Sequence, residues 1–411
     1  MTASYLLEHA LIEGVVQKDV FVEASDGILT RVDVATQDEQ ARRIGGLTLP
    51  GLANCHSHAF HRALRGRTQQ ERGSFWTWRE QMYGLAAELT PDSYHALAVE
   101  VYAEMRATGI TAVGEFHYLH HQPDGTPYQD PNEMGKALLA AADDAGIRIR
   151  LLDTCYLAAG LDRHGRAHEP EGVQRRFTDG SADAWAERVE AFGDDRVAAA
   201  IHSVRAVPRD QMKTIAQWAG GKPLHVHLSE QVAENEQCVE AYGVTPTRLL
   251  ADEGVLGANV SVVHATHLTA EDIDLIGSTG AFACFCPTTE RDLADGIGPS
   301  VALARAGARL TLGSDSHAVI DIFEEMRAVE MHERLATQQR GHWSAAELLA
   351  AATHDGHASI GFDDAGRIAV GQRADFVTVD LETWRTRGTG ASAETAVFAA
   401  TAADVSEVWH G

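Results

Sequence analysis

The chain has 411 residues, 45% of them hydrophobic and 23% charged, which excludes a disordered chain and supplies enough apolar material for a sizeable core. Its formal net charge of −25 makes nucleic acid and anionic membrane poor partners, so a small-molecule substrate is the expected one. The length allows two or three domains, or one large barrel with an appendage.

No stretch reaches the ~18 unbroken apolar residues of a membrane span. The run from Met1 to His9 lacks the basic-then-apolar layout of a signal peptide, and the five cysteines are few and scattered. A reducing, cytoplasmic location is therefore expected. In chain order, residues 1 to 48 form short β-like pieces, with Asp26-Gly27 as a hairpin-type turn. Eight candidate strands follow: Leu47–Ala53, Ile110–Phe116, Ile147–Thr154, Val197–His202, Pro223–Leu228, Val260–His264, Ala281–Cys286 and Arg309–Gly313. Helical patterns separate most of them. Thr90 and Pro91 open one over Asp92–Thr108, with Gly109 beyond its end. Eight strands alternating with helices predict an α/β fold, a (β/α)8 barrel over 49–365. A doubly wound open sheet is the alternative, but no Gly-x-Gly-x-x-Gly follows the first strand. Residues 366–411 are turn-rich and β-like again, and the simplest arrangement pairs them with residues 1–48 as one small β-sandwich domain.

Active sites of such barrels lie at the C-terminal ends of the strands. There the first strand carries His56-Ser57-His58, the fifth His225-Val226-His227, the sixth His264 and the eighth Asp315. Residues two apart on a strand face the same way, so His56 and His58 can share one ion. Imidazoles with one carboxylate suit Zn2+ or Fe2+ in a site with room for water, one metal per subunit. His-x-His alone is weak, and it is the coincidence across four strands that points to a metal. Either His225 or His227 can serve; His227 is nearer the strand end and is chosen with His56, His58 and Asp315 as the ligands. His264 is preferred over His267, which lies farther along the loop. Glu230, three residues after His227, is placed to move a proton, although a solvated loop carboxylate is its plain alternative. The expected chemistry is metal-assisted hydrolysis at an sp² carbon. In it Asp315 takes or orients the water proton, Glu230 shuttles a proton to the departing nitrogen and His264 polarises the attacked group. His117, His120 and His121 read as loop polar groups or pocket lining.

These residues resemble the amidohydrolase superfamily in its single-metal deaminase branch, and Gly371–Val377 resembles that superfamily's closing Gly-x-x-Ala-Asp-Phe-Val motif. A closer likeness, over about residues 50 to 380, is to the formimidoylglutamate deiminases of histidine degradation. It is carried by His56-Ser57-His58-Ala59-Phe60, Phe75-Trp76-Thr77-Trp78-Arg79-Glu80, Gly114-Glu115-Phe116-His117-Tyr118, His202-Ser203-Val204-Arg205-Ala206-Val207, His225–Gln231, Cys286-Pro287-Thr288-Thr289-Glu290 and Ser314-Asp315-Ser316-His317. The resemblance implies a zinc hydrolase that converts N-formimidoyl-L-glutamate to N-formyl-L-glutamate and ammonia. It further implies substrate contacts at Arg79, Tyr118, His202 and Arg205. Two arginines suit the two carboxylates of a glutamate moiety, unless Glu80 or Asp210 neutralises them. Where the family commonly has glutamine this chain has His61, expected to donate a hydrogen bond to substrate with different reach and charge. The aromatic run from Phe75 to Trp78 reads as a loop acting as a plug, lid or subunit contact, and a homodimer is expected by likeness to superfamily relatives. Cys284-Phe285-Cys286 reads as a buried strand. The rivals are a deaminase of ring amines (purine, pterin or triazine) and a non-catalytic zinc-binding homologue.

Overall fold

A computed structural model describes residues 2–34, 41–69 and 75–411, with side chains from 77 in the last segment. Fourteen strands form two sheets among the described residues. Four strands come first: β1 (Thr2–Ile12), β2 (Val15–Ser25), β3 (Ile28–Asp33) and β4 (Arg42–Pro50). The eight barrel strands are β5 (Leu52–Ser57), β6 (Ile110–His117), β7 (Arg148–Cys155), β8 (Val197–Ile201), β9 (Leu224–Leu228), β10 (Val260–His264), β11 (Phe282–Phe285) and β12 (Arg309–Leu312). β13 (Phe376–Val379) and β14 (Val405–Trp409) complete the set.

β5 to β12 pair in sequence order, all parallel, and a bridge between Ser57 and Asp315 brings the first and last strands together. This is the predicted (β/α)8 barrel. Its strands are buried almost throughout, as parallel strands covered by helices on one side and packed core on the other must be. The helices between them carry the start and stop chemistry that the sequence advertises. Thr90 caps the helix Pro91–Ala107 reciprocally with Ser93, and Thr269 does the same with Asp272 for Ala270–Thr279. Gly146, Gly220 and Gly280 end their helices at left-handed φ of 71°, 56° and 67° before the next strand begins.

The second sheet runs β14-β13-β4-β1-β2-β3 and so draws on both ends of the chain. Asp26 and Gly27 both have positive φ, 51° and 80°, as the expected hairpin turn requires. Its core groups Leu7, Val20, Val22 and Ile44 with Phe376. One expected strand, Leu47–Ala53, is divided in the structure. Residues up to Pro50 pair with β1 and β13, and the barrel strand begins at Leu52. Gly51 makes the break, and a Cβ there would run into the side chain of Thr111. Asp375, from the Ala-Asp-Phe-Val segment, fastens the two sheets. Its carbonyl accepts from Gly51 N at 2.9 Å, and its carboxylate accepts from Arg148 at the base of β7 and from Gly411 N. The aromatic run is also helical rather than a loop, since it opens the helix Phe75–Glu88. No helix among the described residues is long and apolar enough to cross a membrane.

Candidate metal centre and its cavity

The predicted ligands converge at the mouth of the barrel. Nε2 of His56 and Nε2 of His58 lie 3.5 and 3.3 Å from Oδ1 of Asp315, and Nε2 of His227 lies 3.0 Å from Nε2 of His56. Nε2 of His264 stands 3.8 Å from Oδ2 of Asp315. His56, His227, His264 and Asp315 form one group of donor atoms within 4.8 Å of one another, and His58 joins through Asp315 in a second such group with His61. Of the open sequence choices, His227 is brought here. His225 faces the same side but lies deeper, with Nε2 3.1 Å from the Ser359 carbonyl. His264 is buried at the site, whereas His267 is not among the residues lining the cavity.

Local hydrogen bonds decide what these rings can do. Nδ1 of His58 lies 2.9 Å from the Phe116 carbonyl and Nδ1 of His227 lies 2.9 Å from the His202 carbonyl. A carbonyl only accepts, so both protons sit on Nδ1 and both Nε2 lone pairs are bare. Two bare nitrogens and a carboxylate are therefore gathered in a buried space beside His56, whose own Nδ1 has no hydrogen-bond partner among the described residues. Acceptors gathered in this way attract a cation, and the donor set fits a divalent metal that takes nitrogen and oxygen.

The backbone is shaped to the same end. Ser229, His264, Ala265, Asp315 and His317 all have positive φ, between 42° and 69°, although none is glycine. Such conformations cost free energy and persist where surrounding bonds impose them. Here Asp315 N donates to the His56 carbonyl at 3.0 Å, and His58 N donates to the Asp315 carbonyl at 3.2 Å. Gly313 lets β12 approach, since a Cβ there would fall 2.8 Å from Cβ of His56. Around this seam Ser57 donates to Glu115 at 2.6 Å, Asn54 donates to Ser314 at 2.7 Å, and Ser314 holds His317 at 2.9 Å. Burial pushes Glu115 up to about 7 despite these bonds.

Above the donor cluster opens a cavity of about 330 Å³. Glu230 lines it beside His264 and Asp315, and Arg79, Tyr118, His202, Arg205 and His61 line its walls. Every predicted site residue thus reaches one space, His56 lying beneath it. Burial works against a charge on His264, yet the carboxylates of Glu230, Glu290 and Asp315 hold its pKa well above the usual imidazole range. Glu290 does so through Nδ1 at 3.4 Å. His61 turns Nε2 to the Tyr118 hydroxyl at 2.9 Å, and burial together with His58 pushes its pKa well down, so it is a neutral ring.

The acid beside Arg205 is neither Glu80 nor Asp210, the neighbours that could have neutralised it, but Glu234, with Oε2 3.5 Å from Nε of Arg205. Arg79 stacks its guanidinium 5.5 Å over the Tyr83 ring. Aromatic rings are plentiful, with Trp78, Tyr83, Tyr156 and Phe177 on the same walls. Sequence reasoning assigned no role to Glu234, Glu290 or Asp295. Glu234 had a signal, since it follows Glu230 by four residues and falls in the first turn of the next helix. His117, His120 and His121 lie outside this cavity. They form a second buried group with Asp153, Asp179 and Arg188, in which the guanidinium donates to both oxygens of Asp153 at 2.7 and 2.9 Å. The Arg188 guanidinium thus already neutralises Asp153, the one carboxylate of that donor group.

The family model described as "Amidohydrolase family" matches residues 47–410. The formimidoylglutamate deiminase of Pseudomonas aeruginosa is 36% identical over 397 residues, covering 92% of this chain and 86% of that protein. A 5-methylthioadenosine/S-adenosylhomocysteine deaminase of Natronomonas pharaonis is 30% identical, covering 89% and 80%. Among solved structures, an amidohydrolase from Brucella melitensis superposes with a TM-score of 0.91 at 31% identity, covering 99% of this chain and 93% of that one. An adenosine deaminase from Xanthomonas campestris with bound zinc gives 0.83 at 25%, covering 99% and 91%. With its barrel, its seam of histidines and Asp315, and this match over most of its length, the chain belongs to the amidohydrolase family.

Proposed function

We propose that this protein hydrolyses the amidine of N-formimidoyl-L-glutamate, releasing ammonia and N-formyl-L-glutamate. The observation that carries the reading is that Arg79 and Arg205 stand on the walls of the cavity whose floor is the donor cluster. A substrate with carboxylates at one end and an amidine at the other needs that division, and an arginine can grip a carboxylate through two parallel hydrogen bonds. The similarity to the Pseudomonas enzyme supports the same substrate.

His56, His58, His227 and Asp315 would hold one metal, and the nitrogen and oxygen donors favour zinc, with iron(II) sharing the preference. A divalent cation held there would supply Lewis acidity and a hydrolytic water activated near neutral pH. His264, which lies beside Asp315 and Glu290, would hydrogen-bond and polarise the attacked group of the substrate. Asp315 receives a proton from the attacking water. Glu230, buried beside it, carries a proton to the nitrogen that leaves as ammonia. His202 and Tyr118 orient the substrate between floor and walls, and His61 acts on it from beside Tyr118. We place the small domain at the two chain ends, up to Pro50 rather than residue 48 and from residue 366, with the barrel between them, in a cytoplasmic enzyme.

A second reading, deamination of a ring amine, is favoured by the aromatic walls and by the nucleoside-deaminase relatives. One experiment separates them. Zinc-loaded protein incubated with N-formimidoyl-L-glutamate should release ammonia and N-formylglutamate in equal amounts, and Glu230→Ala and Asp315→Ala should abolish this. Formamide with free glutamate would overturn the assigned proton path. No turnover of the amidine alongside turnover of a purine or pterin would move the assignment to the ring-amine class.

A further inference from the structure

Glu234 lies in the helix Val232–Tyr242 and is completely buried. An ionised carboxylate in that position requires a cation, and among the described residues its ion-pair partner is Arg205. The two groups meet unusually. Oε2 of Glu234 is 3.5 Å from Nε of Arg205, an ion-pair contact, and both atoms are buried without a hydrogen-bond partner among the described residues. Glu234 thus faces the inner edge of the guanidinium. The terminal nitrogens of Arg205 carry no hydrogen bond within the described protein, and the residue lines the cavity. The other oxygen, Oε1, accepts from the backbone N–H of Ser229 at 3.2 Å. Ser229 sits between His227 and Glu230 at a φ of +50°. One carboxylate therefore touches the arginine that would hold substrate and the turn that presents the proton-transfer group.

We propose that Glu234 is a positioning residue which sets Arg205 for a substrate carboxylate and fixes that anchor in register with Glu230. The inference rests on the reading that the substrate is an N-formimidoyl dicarboxylate. With its inner edge held by Glu234, the guanidinium keeps its outer pair of N–H groups parallel and directed at an incoming carboxylate, so less orientation is lost on binding. Glu234 touches no reacting atom, and its effect falls on affinity for one charged group.

The test compares wild type with Glu234→Gln on three substrates: N-formimidoyl-L-glutamate, N-formimidoyl-4-aminobutyrate, which lacks the α-carboxylate, and N-formimidoyl-2-aminobutyrate, which lacks the side-chain carboxylate. Glutamine can still accept from Ser229 N, so the turn is kept and the charge behind Arg205 is removed. The expected result is a KM for formimidoylglutamate raised about tenfold, with kcat within about threefold of wild type. The penalty should vanish on whichever analogue lacks the carboxylate that Arg205 holds, and in an Arg205→Ala background. Equal losses on all three substrates, a fall confined to kcat, or no change would each overturn the proposal. Should Glu234→Gln not fold, Glu234→Asp keeps the charge one methylene short and carries the same comparison. A wild type inactive on all three substrates would instead overturn the functional reading and the inference with it, a result distinct from an active wild type indifferent to the substitution.

Discussion

Replacing Arg188 with methionine should destabilise the protein by about 4 kcal/mol, the loss expected when one partner of a buried ion pair is removed. Arg188 is 7% exposed and donates to both oxygens of Asp153, to both of Asp179 and to Asn132, so methionine leaves two buried carboxylates facing each other without a cation. At about 2.1 cal/mol/K per residue, 411 residues give an unfolding entropy near 0.86 kcal/mol/K, and the midpoint should fall by about 5 °C at pH 7. The pH dependence carries its own sign. Burial opposes ionisation of Asp179, but the hydrogen bond from His121 and the charge of Arg188 hold its carboxyl well below the usual range; Asp153 is likewise lowered by Arg188 and His120 against its burial. Depressed carboxylates contribute stability that is fully present above about pH 4 and lost as pH falls through their folded values. In the variant the same carboxylates take up protons more readily, so the gap in midpoint between the two proteins should narrow on acidification. Differential scanning calorimetry between pH 3.5 and 7.5 measures this. A variant melting within 1 °C of wild type at pH 7, or a gap that widens in acid, would refute the reasoning.

Four further outcomes follow from the site and its surroundings. Asp315→Ala should lose bound metal and lower kcat on the order of a thousandfold or more, read by metal analysis beside ammonia release. Stripping the metal should lower the melting temperature, and zinc restored to a hundred times its Kd should recover about 2.7 kcal/mol, or roughly 3 °C on the same entropy. His61→Gln should alter KM by less than about tenfold and leave kcat alone, because what it changes is the partner of the Tyr118 hydroxyl; a collapse of kcat would assign His61 a part in the chemistry. Burial raises the thiols of Cys55 and Cys238 to about 12 and those of Cys155 and Cys286 well above their usual range, so none of these should react with a thiol reagent at pH 8 within minutes, whereas all five cysteines should react in denaturant.

The barrel was legible because its strands are apolar runs divided by capped helices, and the ligands were legible because they fall at strand ends with a two-residue spacing. The first strand was misplaced because Leu47–Ala53 has apolar residues on both sides of Pro50-Gly51; the break at Gly51 is fixed by Thr111 and Asp375, which are distant in sequence. The choice between His225 and His227 was open for the same reason. Both face inward, and only depth in the barrel tells them apart. Glu234 was missed because a buried acid one turn beyond Glu230 looks like any helix residue until Arg205, from another strand's loop, is seen beside it. His120 and His121 lie in the loop after β6, as expected; what the sequence did not show is that Asp153, Asp179 and Arg188 gather around them, outside the cavity.

The bonds that close the barrel are also the bonds that gather the ligands. Asn54 and Ser314, which clasp the seam, are 260 residues apart in sequence, and Ser57 and Asp315 bridge beside them. The ribosome delivers His56, His58 and His227 before Asp315, so a nascent chain still lacking the last barrel strand carries three of the four candidate ligands without the carboxylate that draws His56 and His58 together. If the proposed ligands hold the ion, a chain truncated before Asp315 would carry intact His-Ser-His and bind metal more weakly than the full chain. In the finished enzyme the ion would serve as a rivet as well as a reagent. Hydrogen exchange should find the β5–β12 edge the first part of the barrel to open once the metal is withdrawn.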